Sequence, residues 1–450
     1  MHRLSALALT ALCSGCTAAA QYHPWPQATL AQPESITVGF NHHSGSSYIS
    51  PLTEQRRPGD NLEQQLITAI ESAQREVLVA VQELTLPGIA DALIERHRAG
   101  VPVKLVLENT YSAPWSRQHP AGLEPHHQKR LQRLQKLGWR DAIALLERAG
   151  VPLLDDTADG SAGSGLMHHK FVVIDRQRVL TGSANFTSSG LHGDAGQTSS
   201  RGNVNHLLQL NSPELAQLFA EEFAQLWGDG PGGQPDSRFG LGKHSRRLQQ
   251  TPLGSDRAAV LFSPHRGDDP DHGLELIRQQ LDQAQRSIDL ALFVFSAQEL
   301  ADVLALKREQ GVEIRVLVDP GFAHRSYSEW LDLKGLAMAD HRCRLEAGNN
   351  PWETPLRAVG TPRLAHGDKL HHKFAVIDGK TVITGSFNWS PAAAHTNDET
   401  LLVINSVQLA KHFTREMDRL WQGAELGITP RLQRKLERSQ RLCGKHQIAD

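Results

Sequence analysis

The sequence is short of several residue types. Only 4 of its 450 residues are cysteine, 4 are methionine and 4 are tyrosine. Cys13 and Cys16 fall near the N-terminus, so a framework of several disulfides is excluded. The remaining two, Cys343 and Cys443, have two readings: a disulfide, which an oxidising compartment permits, or two unrelated thiols. No sign of charge is in excess either, with 47 Lys and Arg against 49 Asp and Glu and a formal net charge of −2. An overall attraction to nucleic acid or anionic membrane is therefore not built in, although a local basic cleft remains open. Beyond the N-terminus, no stretch reaches the roughly 18 consecutive apolar residues that cross a bilayer as a helix.

What is present is an ordinary globular mixture, 39% hydrophobic and 21% charged with 37 Gly and 23 Pro, enough for two large cores. The opening "MHRLSALALTALCSGCTAAAQ" has Arg3, an apolar run from Leu4 to Cys13 and then small residues, the layout of an export signal over residues 1–20. Two processing sites compete. "AAA" at Ala18–Ala20 suits cleavage before Gln21, while "LCSGC" is similar to a bacterial lipobox ending at a lipid-bearing Cys16. The expected location is thus periplasmic, lipid-anchored at the outer membrane, or secreted.

The chain repeats itself. "AQREVLVAVQELTLPGIADALIERHRAGVPVKLVLEN" from Ala73 aligns with "AQRSIDLALFVFSAQELADVLALKREQGVEIRVLVDP" from Ala284, His168 aligns with His371, and Trp227 with Trp421. The separation between matched residues shrinks along the chain, so the first half carries the longer loops. In each half, near-continuous apolar runs ("EVLVAVQEL", "SIDLALFVF") read as strands buried on both faces. They alternate with segments of helical spacing that end at Gly100 and Gly311. The expected fold is α/β: two similar α/β/α sandwich halves sharing one active site. The halves span residues 36–227 and 256–425, joined by a Gly- and Pro-rich linker over 228–255. A basic tail over 426–450 carries Arg431, Arg434, Lys435, Arg438, Arg441 and Lys445, either as a solvated helix or as a contact for lipid or nucleic acid.

The most similar stretches are "HHKFVVID" from His168 and "HHKFAVID" from His371. Side chains alternate on a strand, so His168 and Lys170 share one face, as do His371 and Lys373. His169 and His372 point the other way and are expected to be packed on an outer face. A turn follows each aspartate, Asp175 and Asp378, and "TGSAN" and "TGSFN" return Ser183 with Asn185 and Ser386 with Asn388 on the next strand. A ring of His, Lys, Ser and Asn suits a phosphodiester: lysine offers charge, and the hydroxyl and amide offer directed donors to phosphoryl oxygens. Imidazole serves as nucleophile when neutral and as acid when protonated. One histidine cannot hold both states, but two facing copies can.

H-x-K-x4-D followed by G-S-x-N resembles the HKD signature of the phospholipase D superfamily, met twice here and over roughly residues 36–425. The resemblance implies a shared site, a phosphohistidine intermediate, and no metal or other cofactor. It assigns His168 as nucleophile and His371 as general acid and later base. Lys170, Lys373, Asn185 and Asn388, with Ser183 and Ser386, would bind the phosphate, and Asp175 and Asp378 would be structural. The halves differ at "NDETLLVI", with Asn397 and Glu399, against "NVNHLLQL", with Asn203 and Asn205. In the family an acidic residue here orients a histidine of the opposite half, so Glu399 would support His168 and Asn205 would orient His371 without charge.

Other residues read as ordinary. His42, His43, His126 and His127 lack spaced partners for a metal site. Trp227 and Trp421 sit in amphipathic helices and read as core. The loops "DDTADGSAGSG" and "SSGLHGDAGQTSSRG" flank the motif, either as gates to the site or as ordinary surface loops. The expected function is hydrolysis of phospholipid head-group phosphodiesters by a monomer at a membrane surface. Nucleic acid as substrate, phosphatidyl transfer, and a non-catalytic scaffold are the alternatives.

Overall fold

The computed structural model describes residues 29–444, apart from 139, 158–164, 194–196, 198 and 245–246. The export signal, Cys16, Lys445 and most of the loop before His168 lie outside the described residues. Two mixed sheets follow one plan. In the first, the strands run in the order Ile36–Phe40, His206–Asn211, Arg178–Gly182, Lys170–Ile174, Val77–Val81, Val103–Leu107, Leu153–Asp155. The second begins with Gln249–Leu253, repeats that order as Asp256–Ser263, Glu399–Asn405, Thr381–Gly385, Lys373–Ile377, Ser287–Leu292, Glu313–Val318, Val359–Thr361, and ends on Glu425–Leu426.

Alternation along each motif strand sorts its residues between two cores. Val172 and Ile174 pack under the outer helices of the first half, whereas Phe171 and Val173 enter a core shared by both halves. Phe374 and Val376 do the same from the second sheet. Helices Pro213–Trp227 and Val407–Trp421 fill that shared layer with Phe219, Phe223, Phe413 and Met417. Each starts at a serine whose hydroxyl accepts from a backbone N–H of the first turn, Ser212 from Leu215 and Ser406 from Leu409. Trp227 is buried in this core and Trp421 packs at its margin.

The structure details three expectations and corrects a fourth. The 228–255 linker ends in regular structure: Gln249–Leu253 is an edge strand pairing with Asp256–Ser263 across a turn at Gly254, with Pro252 tolerated at the edge. The 426–450 tail begins with a strand residue paired to Gly360 and continues as the helix Pro430–Cys443, which buries Leu432. Cys443 at its end forms a disulfide with Cys343, so the two thiols are paired. Finally, His169 and His372 do not lie on an outer face. They are 0% exposed in the layer between the halves, because that is where the opposite side of the motif strand points.

Candidate active site

The motif strands are central. Lys170 pairs with Val81 and Lys373 with Leu292, so the histidines just before them stand at the carboxyl ends of the parallel strands, where open α/β sheets place their ligands. Each histidine segment is stitched to the other half. The His168 N–H donates to Asp398 O at 3.0 Å, and the His371 N–H to Val204 O at 3.1 Å. The short parallel bridges Met167 to Asp398 and Val204 to Leu370 complete the crossing.

Side chains follow the same exchange. His168 Nδ1 lies 2.7 Å from Glu399 Oε2, and His371 Nδ1 lies 3.0 Å from Asn205 Oδ1. Glu399 and Asn205 are 0% exposed and are themselves held. Ser386 Oγ donates to Glu399 Oε2 at 2.6 Å, and Asn397 Nδ2 to Oε1 at 3.3 Å. Ser183 Oγ donates to Asn205 Oδ1 at 2.7 Å, and Asn205 Nδ2 to Gly190 O at 2.8 Å. The two serine hydroxyls are thus spent one layer behind the histidines, not on a phosphoryl group. The glycines before them explain the closeness of these strands. A Cβ on Gly182 would meet His206 O at 2.3 Å, and one on Gly385, where φ is +126°, would meet Thr400 O at 2.2 Å.

Lys170 and Lys373, each 1% exposed, donate to the carbonyls of His168 and His371 at 2.7 and 2.8 Å. Asn185 and Asn388 stand at matching places, each with a buried Oδ1 that accepts nothing. Asn185 Nδ2 donates to Gln82 Oε1 at 3.1 Å. In the repeat, Gln82 corresponds to Phe293, whose ring packs 4.7 Å from His371 and 4.9 Å from Lys373 Nζ. The rim is polar in one half and aromatic in the other, and the aligned repeats carry that difference in their sequences.

The aspartates of the motif stand away from this cluster. Asp175, at φ 55°, accepts from the backbone N–H groups of Gln74, Arg75 and Glu76, and Asp378, at φ 54°, from those of Gln285, Arg286 and Ser287. Burial opposes their charge, but these donors outweigh it and hold both carboxyls below the usual range.

Electrostatically the site is a cluster of suppressed cations. Burial, followed by Lys170 and Lys373, keeps His168 well below an ordinary histidine, and burial with the same lysines does so for His371. Burial brings Lys170 down to about 7 and lowers Lys373 too. Glu399 is pushed up to about 7 by burial, against Lys170, Ser386 and Asn397. The result is two neutral imidazoles beside positive charge held out of water, an arrangement completed by an anion.

Sequence reasoning misses Lys243, in the linker. Its Nζ reaches Glu222, Asp398 Oδ1 at 2.7 Å and Ser263 O at 2.7 Å. Gly240 N–H also donates to Asp398 Oδ1 at 2.9 Å. His169, Glu222 and Asp398 bring ligand atoms within 4.8 Å of one another, yet the ammonium of Lys243 bonds both carboxylates of that trio. In the other half Arg419 pairs with Glu416, which receives His372 Nε2 at 3.0 Å. No sequence signal points to Lys243, a lone lysine among glycines. His42 Nε2 bonds Gly202 O at 2.9 Å, His43 sits by Asp60, and the His126 and His127 rings lie tilted against each other with centroids 3.9 Å apart. The loop after Asn185, described in part, is tied across the halves by Ser200 and Arg201 to Asp368.

Comparison with known proteins adds the following. The family model described as "Cardiolipin synthase, PLD-like domain" matches residues 66–227 and 277–421. Mitochondrial cardiolipin hydrolase of Xenopus tropicalis is 34% identical over 143 residues, 31% of this chain and 57% of that protein. The chain therefore spans little more than half the length of that relative. Phospholipase D of Rickettsia bellii is 27% identical over 161 residues, 36% of this chain and 67% of that one. Among solved structures, phosphatidylserine synthase of Haemophilus influenzae superposes with a TM-score of 0.56 at 14% identity, covering 92% of this chain and 94% of that one, a likeness of fold.

Proposed function

Because the chain belongs to the phospholipase D-like family, matched in both halves, we propose that it hydrolyses phospholipid head-group phosphodiesters without a metal, through a phosphohistidine intermediate. The observation that carries this reading is the unequal support of the two histidines, a carboxylate on His168 and a neutral amide on His371.

The diester phosphate sits between Lys170 and Lys373, with Asn185 and Asn388 at its oxygens, and its negative charge offsets the lysines. His168 Nε2, unprotonated because Nδ1–H donates to Glu399, attacks phosphorus. The bond to the head-group oxygen breaks, and His371, protonated at Nε2 once the bound diester anion offsets the neighbouring lysines, gives that oxygen its proton. The imidazole of His168 is cationic in the covalent intermediate, and Glu399 stabilises it. Asn205 holds the His371 ring without a charge that would retain the proton, which favours giving it up. In the second step His371 takes a proton from water, water oxygen attacks phosphorus, and the P–N bond to His168 breaks to release phosphatidate.

Phospholipid is the substrate class in this reading. The named relatives include a cardiolipin hydrolase and a phospholipase D, and the Cys343–Cys443 disulfide supports export to an oxidising compartment, beside membranes. We place the protein there as a monomer, with Cys16 as a candidate lipid anchor.

The test is a paired assay in chelator, with phosphatidylcholine and phosphatidylglycerol vesicles in one arm and plasmid and single-stranded DNA in the other. His168→Ala is the control. Head-group release that survives chelator and vanishes in the variant is the expected result. Cleavage of DNA alone with the same dependence would move the substrate to nucleic acid, and loss of head-group release in chelator would end the metal-free mechanism.

A further inference from the structure

A second group of acidic side chains converges in the second half, apart from the two histidines. Glu329 and Asp332 stand on the short helix Glu329–Leu333, and Glu346 on the loop after it. One oxygen from each lies within 4.8 Å of those of the other two. Glu329 is 1% exposed and Asp332 0%. Glu329 Oε2 and Glu346 Oε1 are shut off from solvent and accept no hydrogen bond. Beside them, Gln298 Nε2 donates to Asp302 Oδ1 at 3.1 Å. Asn350 ties the loop to the same spot, with Nδ2 on Asp302 at 3.0 Å and its backbone N–H on Asp332 Oδ2 at 2.9 Å.

Carboxylates taken out of water without partners are costly until a proton or a cation offsets them. Burial, then the neighbouring Glu346, Asp332, Glu299 and Asp302, push Glu329 up to about 10. Every one of those neighbours is acidic, so the group calls for positive charge. The donors are all carboxylate oxygens, which suits a hard cation rather than zinc. They come from one short helix and the loop after it, and cation-to-oxygen distances of about 2.3–2.6 Å would span the spacing, as calcium accepts. Magnesium demands a near-ideal octahedron and keeps several waters, which a dry cluster of this kind does not favour.

We propose that Glu329, Asp332 and Glu346 form a calcium site that fastens the 334–358 loop to the second half. Cys343 lies in that loop, so calcium and the disulfide would hold it together. This site is independent of the phosphodiester reading above.

The test uses the full oxidised chain, stripped by chelator and titrated with calcium by calorimetry and thermal unfolding. Terbium serves as a luminescent probe excited through Trp330, the neighbour of Glu329. The expected results are calcium-dependent heat and a raised Tm, and terbium emission that calcium displaces and equal magnesium does not. Glu346→Gln, on the half-buried loop residue, should weaken calcium binding at least about tenfold with an unchanged circular dichroism spectrum. No calcium heat and no terbium emission would overturn the proposal, as would calcium affinity equal in Glu346→Gln and the unmodified chain. A Tm that falls with rising pH and ignores calcium would overturn it too, since protons alone would then occupy the cluster. Should Glu346→Gln fail to fold, the terbium displacement by calcium over magnesium in the unmodified chain still decides.

Discussion

Glu399 Oε2 lies 2.7 Å from Nδ1 of His168, across 231 positions of sequence and from the opposite half of the molecule. The matching place beside His371 is held by the uncharged Asn205 at 3.0 Å. A duplicated site has in this way become two different sites, one histidine held by a carboxylate and the other by a neutral amide.

The pH profile follows from this pair and its neighbour. Burial pushes Glu399 up to about 7 and pulls Lys170 down to about 7. As pH falls through 7, the carboxylate gains a proton and no longer supports His168. As pH rises through 7, Lys170 loses the charge that the proposed mechanism sets against phosphoryl oxygens. The kcat/KM of the protein is expected to form a narrow bell near neutrality. Glu399→Gln should remove the acid limb and lower kcat by about 10²–10⁴. A flat profile across the neutral range in the unmodified protein would refute this assignment.

The division of labour between the histidines has its own test. With a p-nitrophenyl phosphodiester, whose leaving group needs no proton, His371→Ala should still release one equivalent of nitrophenol and then stall, because the second step lacks its base. Mass spectrometry should find the phosphoryl group on His168. A burst from His168→Ala, with the label on His371, would reverse the roles.

Lys243 is expected to matter more than a linker residue should. It bonds Glu222 and Asp398 in the buried layer, and Asp398 O receives the N–H of His168. Lys243→Met leaves two buried carboxylates without their cation and should cost about 3–5 kcal/mol in urea unfolding. Adding Glu222→Gln should recover part of that loss. Unchanged stability in Lys243→Met would show that the linker contact is dispensable.

Part of this site is legible in the amino-acid sequence alone. The two motif copies put His168 with Lys170 and His371 with Lys373 on one face of each strand, since period two is a local property of an extended chain. The difference between Glu399 and Asn205 is equally visible, because aligning the repeats sets them side by side. The roles of Ser183 and Ser386 are not. Their place in the motif suggests a phosphate contact, but the close strand approach at Gly182 and Gly385 turns both hydroxyls onto Asn205 and Glu399.

The amino-acid sequence by itself determined the duplication, the α/β alternation within each half and the residue types offered to the substrate, because these follow from periodicity and composition along a short stretch of chain. Only the tertiary structure decided that His169 and His372 are buried between the halves, that Cys343 meets Cys443, that Lys243 closes on Asp398, and that Glu329, Asp332 and Glu346 converge. Each of these depends on segments that are not neighbours in sequence, and no local pattern encodes a partner that arrives from another element. The burial and partners that set the charge of such groups exist only after the two halves have packed.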